Sequence, residues 1–263
     1  MNKASSLTVV GSGIKFVSHL TTEARVYIEQ SERVLYLINE PAMKEWIKKT
    51  NPKAESLDEL YVKHRLRLHC YRAITDYILE TLYQGCHVCV VIYGHPAVFA
   101  QPGLDAVIKA KKEGYDARVL PGISAEDCLF ADCLIDPGTY GCQSFEATDF
   151  LIREKNYDPN CYLILWQVGS IGALDHPRNH DNSNGINLLK IALEKKYPTS
   201  HEIILYEAAQ YPHFDPRLDN ITLDNLTKAA ITSLTTLCIP PLAKTPIDMN
   251  MLKALNINIE DLK

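Results

Sequence analysis

Several things are scarce or missing in this sequence of 263 residues. No apolar run approaches the roughly 20 residues a membrane-spanning helix needs. The first ten residues carry one lysine and a short apolar run that ends at Gly11, which is no secretory signal. Together these set the expectation of a cytoplasmic protein with no membrane partner. A basic excess is also lacking: 27 Lys and Arg face 32 Asp and Glu, for a net charge of -5. That argues against a general nucleic-acid binder and leaves only local basic patches. A second C-x-x-C is absent, so Cys86 and Cys89 have no matched ligand pair and read as buried structural thiols. His176 and His180 stand four apart, but in a stretch rich in Asn, Asp and Gly that does not read as a helix. No metal site is expected.

What is present is enough apolar material, 46% of the residues, for a large core. Strands are expected at residues 7–10, 33–38, 88–92 and 116–120, with helices at 22–31, 42–50, 61–83, 103–113 and 124–133 between and after them. Residues 51–57 read as polar loop, Gly85 as the stop of the long helix, and Ser124 as a helix cap with Glu126 and Asp127 behind it. Alternating strands and helices make the first half an α/β domain with a mostly parallel sheet. The second half reads differently. Strands at 162–168, 203–207 and 235–239, with a helix at 184–197, suggest an α+β domain. The expected division is 1–122, 123–245 and a short tail at 246–263, with the boundary falling between about Leu120 and Asn160.

Gly11-Ser12-Gly13 follows a strand and invites a dinucleotide reading. The third glycine of G-x-G-x-x-G would fall at Phe16, and no acidic residue stands where a ribose would need it. A tight turn that permits close approach of a substrate is the better reading.

Three segments carry a resemblance. Val90-Val91-Ile92-Tyr93-Gly94-His95-Pro96-Ala97-Val98-Phe99 and Arg118-Val119-Leu120-Pro121-Gly122-Ile123-Ser124-Ala125, taken with the N-terminal Gly-x-Gly, resemble the tetrapyrrole methylase superfamily. Within it, Tyr93-Gly94-His95-Pro96 and the run from Pro121 to Asp132 look like the borosin α-N-methyltransferases. So do Asp136-Pro137, Tyr140-Gly141-Cys142-Gln143, Glu146-Ala147-Thr148 and Trp166-Gln167-Val168-Gly169-Ser170. The resemblance covers residues 9–241. It implies a two-domain fold with a methyl-donor cleft between the domains, S-adenosylmethionine as the donor, and methylation of backbone amides in a ribosomally made precursor peptide. Fused members carry that peptide at their own C-terminus. Here only a short amphipathic tail follows Pro240-Pro241, so the resemblance implies a split system with a separate peptide methylated in trans. It further implies a homodimer, or a heterotetramer with two peptides. By the same resemblance the donor site is built from Tyr93, His95, Val98, Phe99, Ser124, Ala125 and Gln167, with Tyr206, Ala208 and Pro240 added.

An amide nitrogen is a poor nucleophile because its lone pair is delocalised into the carbonyl. A cation near the carbonyl oxygen would favour the imidate form, and a tyrosine whose acidity that cation enhances would take the proton. Arg67 and Tyr71, four apart, share a helix face, and Tyr61 lies near the helix start. Arg-x-x-x-Tyr matches the borosin motif in which arginine and tyrosine act on the amide. Asp58 departs from that pattern, since family members often carry tyrosine there; the role is dispensable, displaced or lost. Lys63, Arg65 and Arg72 read as a solvated face able to meet an acidic leader.

Two competing readings stay open. A tetrapyrrole C-methyltransferase would want several cations around its substrate's carboxylates, and the loops here are not notably basic. A non-catalytic protein that binds donor and peptide is kept alive by Asp58 and opposed by the presence of both Arg67 and Tyr71.

Overall fold

Strand β1 (Ser6–Gly11) shows why a sheet forms: Leu7, Val9 and Val10 are fully buried, so neighbouring positions on both faces are covered. That is the pattern of a parallel strand packed by helices on two sides. The structure is a computed structural model and describes residues 5–153, 155–175 and 181–262. The first stretch continues as α1 (Thr22–Gln30), β2 (Arg33–Leu37), α2 (Pro41–Thr50), β3 (Ala54–Ser56), α3 (Asp58–Val62), α4 (Arg67–Tyr83), β4 (His87–Ile92), α5 (Gln101–Lys112), β5 (Asp116–Val119) and α6 (Ala125–Asp132). The strands stand in the order β3-β2-β4-β1-β5 and every pair is parallel. One core, including Leu7, Leu35, Ile78 and Val90, fills one side of this sheet; another, including Val10, Tyr36, Ile47 and Val91, fills the other.

The chain then forms α7 (Pro137–Tyr140), β6 (Cys142–Glu146), α8 (Ala147–Ile152), β7 (Tyr162–Trp166), α9 (Ser183–Glu194), β8 (Glu202–Glu207), β9 (Arg217–Thr222), β10 (Thr236–Ile239) and α10 (Met249–Ala254). This second sheet is mixed, in the order β6-β7-β10-β8-β9: β6 runs parallel to β7, while β10 is antiparallel to both β7 and β8. Its core gathers Phe150, Leu165, Leu189, Tyr197 and Leu237. The chain divides into two compact units. The first holds Met1–Ile135, Gly172–Asp181 and Glu207–Leu218; the second holds Asp136–Ile171, Asn182–Tyr206 and Asp219–Lys263.

The α/β reading of the first half and the mixed α and β content of the second agree with these sheets. Three local expectations do not. Residues 51–57 contain β3, whose edge pairing with β2 at Val34, Leu35 and Tyr36 overrides a polar sequence. The helix expected over 61–83 is two helices, because Leu66 is extended and bridges Asp175 while Arg67 donates its backbone N–H to Leu174. Backbone groups spent on that bridge are unavailable to a continuous helix. Third, β6, α8 and β9 were not foreseen. Their short runs mix polar and apolar residues without a clean period, as in Arg217-Leu218-Asp219-Asn220-Ile221-Thr222.

All eight cysteines carry thiols rather than disulfides. Cys86, just before β4, is only half-buried, short of the burial expected of it, while Cys89 is buried within the strand, where burial pushes its thiol well above the ordinary range. His176 and His180 lie outside the described residues.

Two glycines carry distinct backbone demands. Gly85 ends α4 with φ +88 and open space around it, whereas a Cβ on Gly11 would sit 2.2 Å from the carbonyl oxygen of Gly94. Gly85→Ala is expected to lose about 1–2 kcal/mol through the left-handed conformation alone. Gly11→Ala is expected to lose more, at or beyond the upper end of the roughly 1–3 kcal/mol of an overpacked core, since no rotamer relieves a backbone contact. Urea unfolding followed by circular dichroism ranks the two; equal losses would show that the loop yields freely.

Candidate active site

In a parallel sheet the C-terminal strand ends share one edge, and the loops leaving them are where open α/β sheets bind ligands. Here β1, β4 and β5 lie side by side, so the three loops that follow them are neighbours. They also touch. Gly13 and Gly94 exchange backbone hydrogen bonds (3.2 and 3.1 Å), and Ser12 N–H donates to Ile92 at 2.8 Å. A Cβ on Gly122 would lie 3.3 Å from both Gly11 Cα and the Gly94 oxygen. The three segments that looked informative in the sequence therefore form one backbone surface, closely apposed because glycines line it.

The side chains on these loops are held individually. Ala97 N–H donates to Nδ1 of His95 (3.0 Å), which leaves the ring proton of the neutral imidazole on Nε2. Tyr93 is half-buried; burial pushes its hydroxyl up, and a hydrogen bond from the Gln210 side chain works the other way. Val98 is half-buried, while Phe99 is 51% exposed and takes φ 52. A bulky residue in the left-handed region stores strain, and such strain gathers at ligand sites. Ser124 is the cap of α6: its hydroxyl accepts from Asp127 N–H (3.1 Å), and the Asp127 carboxylate accepts from Ser124 N–H (2.7 Å) and hydroxyl (2.6 Å). Ala125 opens that helix, half-buried. The Gly11-Ser12-Gly13 loop does not open a helix, since α1 starts at Thr22. Ala208 also belongs to the first unit.

Gln167, Tyr206 and Pro240 belong to the second unit. Gln167 follows β7 with φ 58. Tyr206 is 1% exposed in β8, so a ligand there would meet its main chain. Pro240 follows β10, its carbonyl 2.9 Å from the His201 ring.

The candidate catalytic set sits where α3 meets α4. Tyr61 and Tyr71 bring their rings to 6.2 Å between centroids, and their hydroxyls are hydrogen-bonded. The break at residues 63–66 is what lets Tyr61 fold back onto α4. Arg67 is the first residue of that helix, and its guanidinium donates to the Ala173 carbonyl. For Tyr61 the expected acidification by arginine fails: burial, then the neighbouring Tyr71, push it up to about 12 against the pull of Arg67. Asp58 opens α3 and is ion-paired with Lys44 of α2. Its carboxylate therefore has a structural use at this position. Arg65, 87% exposed in its side chain, reaches Asp175 only at 3.7 Å and is solvated, as expected for that face.

The sequence reading missed Glu40, Gln210 and Tyr211, which tie the loops of the first unit to the segment Glu207–Leu218. Glu40 and Tyr211 stand 171 positions apart, so no local pattern marks the pair. Among the described residues, no helix is long and apolar enough to cross a membrane, and no group of three or more His, Cys, Asp or Glu gathers as a metal site.

Comparison with known proteins gives three kinds of likeness. The chain is 38% identical over 259 residues to the methyltransferase/ribosomally synthesized cyclic peptide omphalotin A precursor of Omphalotus olearius, covering 97% of this chain and 62% of that protein. It is 38% identical over 250 residues to the methyltransferase/ribosomally synthesized type III borosin cyclic peptide precursor of Anomoporia bombycina, covering 93% of this chain and 29% of that one. The chain thus spans less than two thirds of these relatives' length. Among solved structures, uroporphyrin-III-C-methyltransferase from Thermus thermophilus superposes with a TM-score of 0.65 at 18% identity, over 94% of this chain and 99% of that one. A diphthine synthase does so with 0.62 at 14%, over 97% and 98%. Those two share the fold. The family model of the tetrapyrrole (corrin/porphyrin) methylases matches residues 6–213, which include the three glycine-bearing loops and the Tyr61, Arg67 and Tyr71 set, and the chain belongs to that family.

Proposed function

We propose that this chain is a cytoplasmic, S-adenosylmethionine-dependent methyltransferase that N-methylates backbone amides of a ribosomally made precursor peptide, supplied as a separate chain, and that it acts as a homodimer. The observation that carries the reading is the meeting of Tyr61, Arg67 and Tyr71 at the start of α4. The peptide class is supported by the relatives, whose names join a methyltransferase to a peptide precursor. Dimerisation comes from the borosin resemblance; the relatives carry their peptide in the same chain, and supply in trans is the part of the proposal that the separate-peptide experiment below tests.

S-adenosylmethionine supplies a methyl group already activated on a sulfonium, and it carries no phosphate. The first unit's loops suit such a molecule. The first turn of α6 is already occupied by its own capping carboxylate, and the glycine loop opens no helix, so neither is arranged for a phosphate. Tyr93, and His95 through its Nε2, are polar groups that fit the amino-acid and ribose ends. Val98, Phe99, Ala125 and Ala208 are apolar walls for adenine.

Arg67 holds a main-chain carbonyl, that of Ala173, which is the chemical group a peptide substrate would present. A guanidinium fork on the substrate's carbonyl oxygen stabilises the charge that builds as the amide loses its proton. Tyr71, once its own proton has passed to solvent, takes that proton as the phenolate. Tyr61, held near 12, keeps its own and hydrogen-bonds Tyr71. Holding nitrogen, methyl and sulfur in line is then a matter of orientation.

Incubating the protein with S-adenosylmethionine and separate precursor-like peptides, followed by fragment mass spectrometry, should show methyl-mass increments on backbone amides. Increments confined to side chains, or methylation of a tetrapyrrole instead, would sink the reading. Arg67→Ala and Tyr71→Phe should each lower kcat by about 10²–10³ while donor affinity stays near wild type.

The pH profile separates the two tyrosines. A phenol near 12 contributes no ionisation below about pH 10, so Tyr61→Phe should keep the rising limb of the rate at reduced amplitude. Loss of that limb in Tyr61→Phe would make Tyr61 the titrating group.

A further inference from the structure

Glu40 lies in the loop after β2, is 3% exposed, and stays ionised despite burial. Burial alone would raise its pKa. Hydrogen bonds from the Tyr211 hydroxyl and from the backbone N–H groups of Ala42 and Met43 outweigh that and hold the carboxyl below its ordinary range. The carboxylate thus does two things at once: it caps α2, and Oε1 accepts from Tyr211 at 2.6 Å while also taking Ala42 N–H at 2.9 Å.

Tyr211 stands in a segment pinned at several further points. Phe16 N–H donates to the Gln210 carbonyl at 2.9 Å, and the Phe16 and Tyr211 rings lie 6.5 Å apart. The Gln210 side chain hydrogen-bonds the Tyr93 hydroxyl. Arg217 pairs with Glu207 at 2.8 Å, joining the two ends of the segment. Loops after β1, β2 and β4 therefore all converge on Gln210 and Tyr211. Of these anchors only Glu40 combines burial, charge and attachment to a helix end, so it is the rigid one.

We propose that Glu40 is a positioning residue for the methyl-donor site: through the Tyr211 hydroxyl it sets the segment Glu207–Leu218, and through Gln210 the Tyr93 hydroxyl, in the geometry that receives the donor. The proposal rests on the donor reading above and adds a residue that touches neither donor nor peptide. It predicts that losing the Glu40–Tyr211 bond weakens donor binding without removing any donor contact.

Tyr211→Phe is the clean variant, since it keeps the ring against Phe16 and leaves the α2 cap intact. Glu40→Asp is the complement: aspartate caps helices well, but one methylene shorter it cannot also reach Tyr211. Calorimetric titration with S-adenosylmethionine should show each variant binding about three- to tenfold more weakly than wild type. The double variant should bind no worse than either single one, because both remove the same bond. Amide hydrogen exchange across residues 207–218 of the donor-free protein should quicken in both. Affinities within twofold of wild type, or single effects that multiply in the double variant, would overturn the assignment while leaving the donor reading intact. Wild-type protein that binds no S-adenosylmethionine would overturn the donor reading itself, and this proposal with it.

Discussion

The close approach of three backbones at Gly11, Gly94 and Gly122 is the constraint on which the first unit's candidate site depends. β1 lies between β4 and β5, so its end decides how near their two loops can come. With no side chain at Gly11, the Gly94 carbonyl sits where a Cβ would be, and Gly122 closes over both. The loops bearing Tyr93, His95 and Ser124 are thereby stacked on one backbone floor rather than splayed over the sheet edge. What is proposed for Tyr93, His95 and Ser124 at the donor follows from that stacking.

The surroundings of Glu40 and Tyr61 in the first unit explain their opposite behaviour. Glu40 stays ionised because three donors reach it. Tyr61 goes the other way: its neighbour Tyr71 accepts its hydrogen bond, and burial penalises the phenolate more than Arg67 favours it. A tyrosine that holds its proton tightly is well suited to support a neighbour and poorly suited to be the base. The same reasoning gives Asp58 a use, as the partner of Lys44, at a position where a tyrosine would have been expected.

The fold by itself does not choose the chemistry. Structures at 14% and 18% identity that share this architecture bear the names of a diphthine synthase and a uroporphyrin methyltransferase. The local features of this chain that bear on its chemistry are the broken helix that presents Tyr61 to Tyr71 and the main-chain carbonyl held by Arg67.

Much of the architecture was legible in the sequence because it is written in local patterns. Buried parallel strands such as Val88-Cys89-Val90-Val91-Ile92 are short apolar runs, and Gly85 and Ser124 punctuate helices by rules that act within a few residues. The three loop segments were also visible, since each carries its own glycine. Long-range bonds decided the rest. The helix break at residues 63–66 exists because Leu66 and Arg67 bond to Leu174 and Asp175, more than a hundred positions away. β3 exists because β2 offers an edge to pair with. The acidity of Tyr61 was set by burial, which spacing cannot express. Glu40 and Tyr211 meet across 171 positions, where neither periodicity nor motif has any reach, and only the tertiary structure could bring them together.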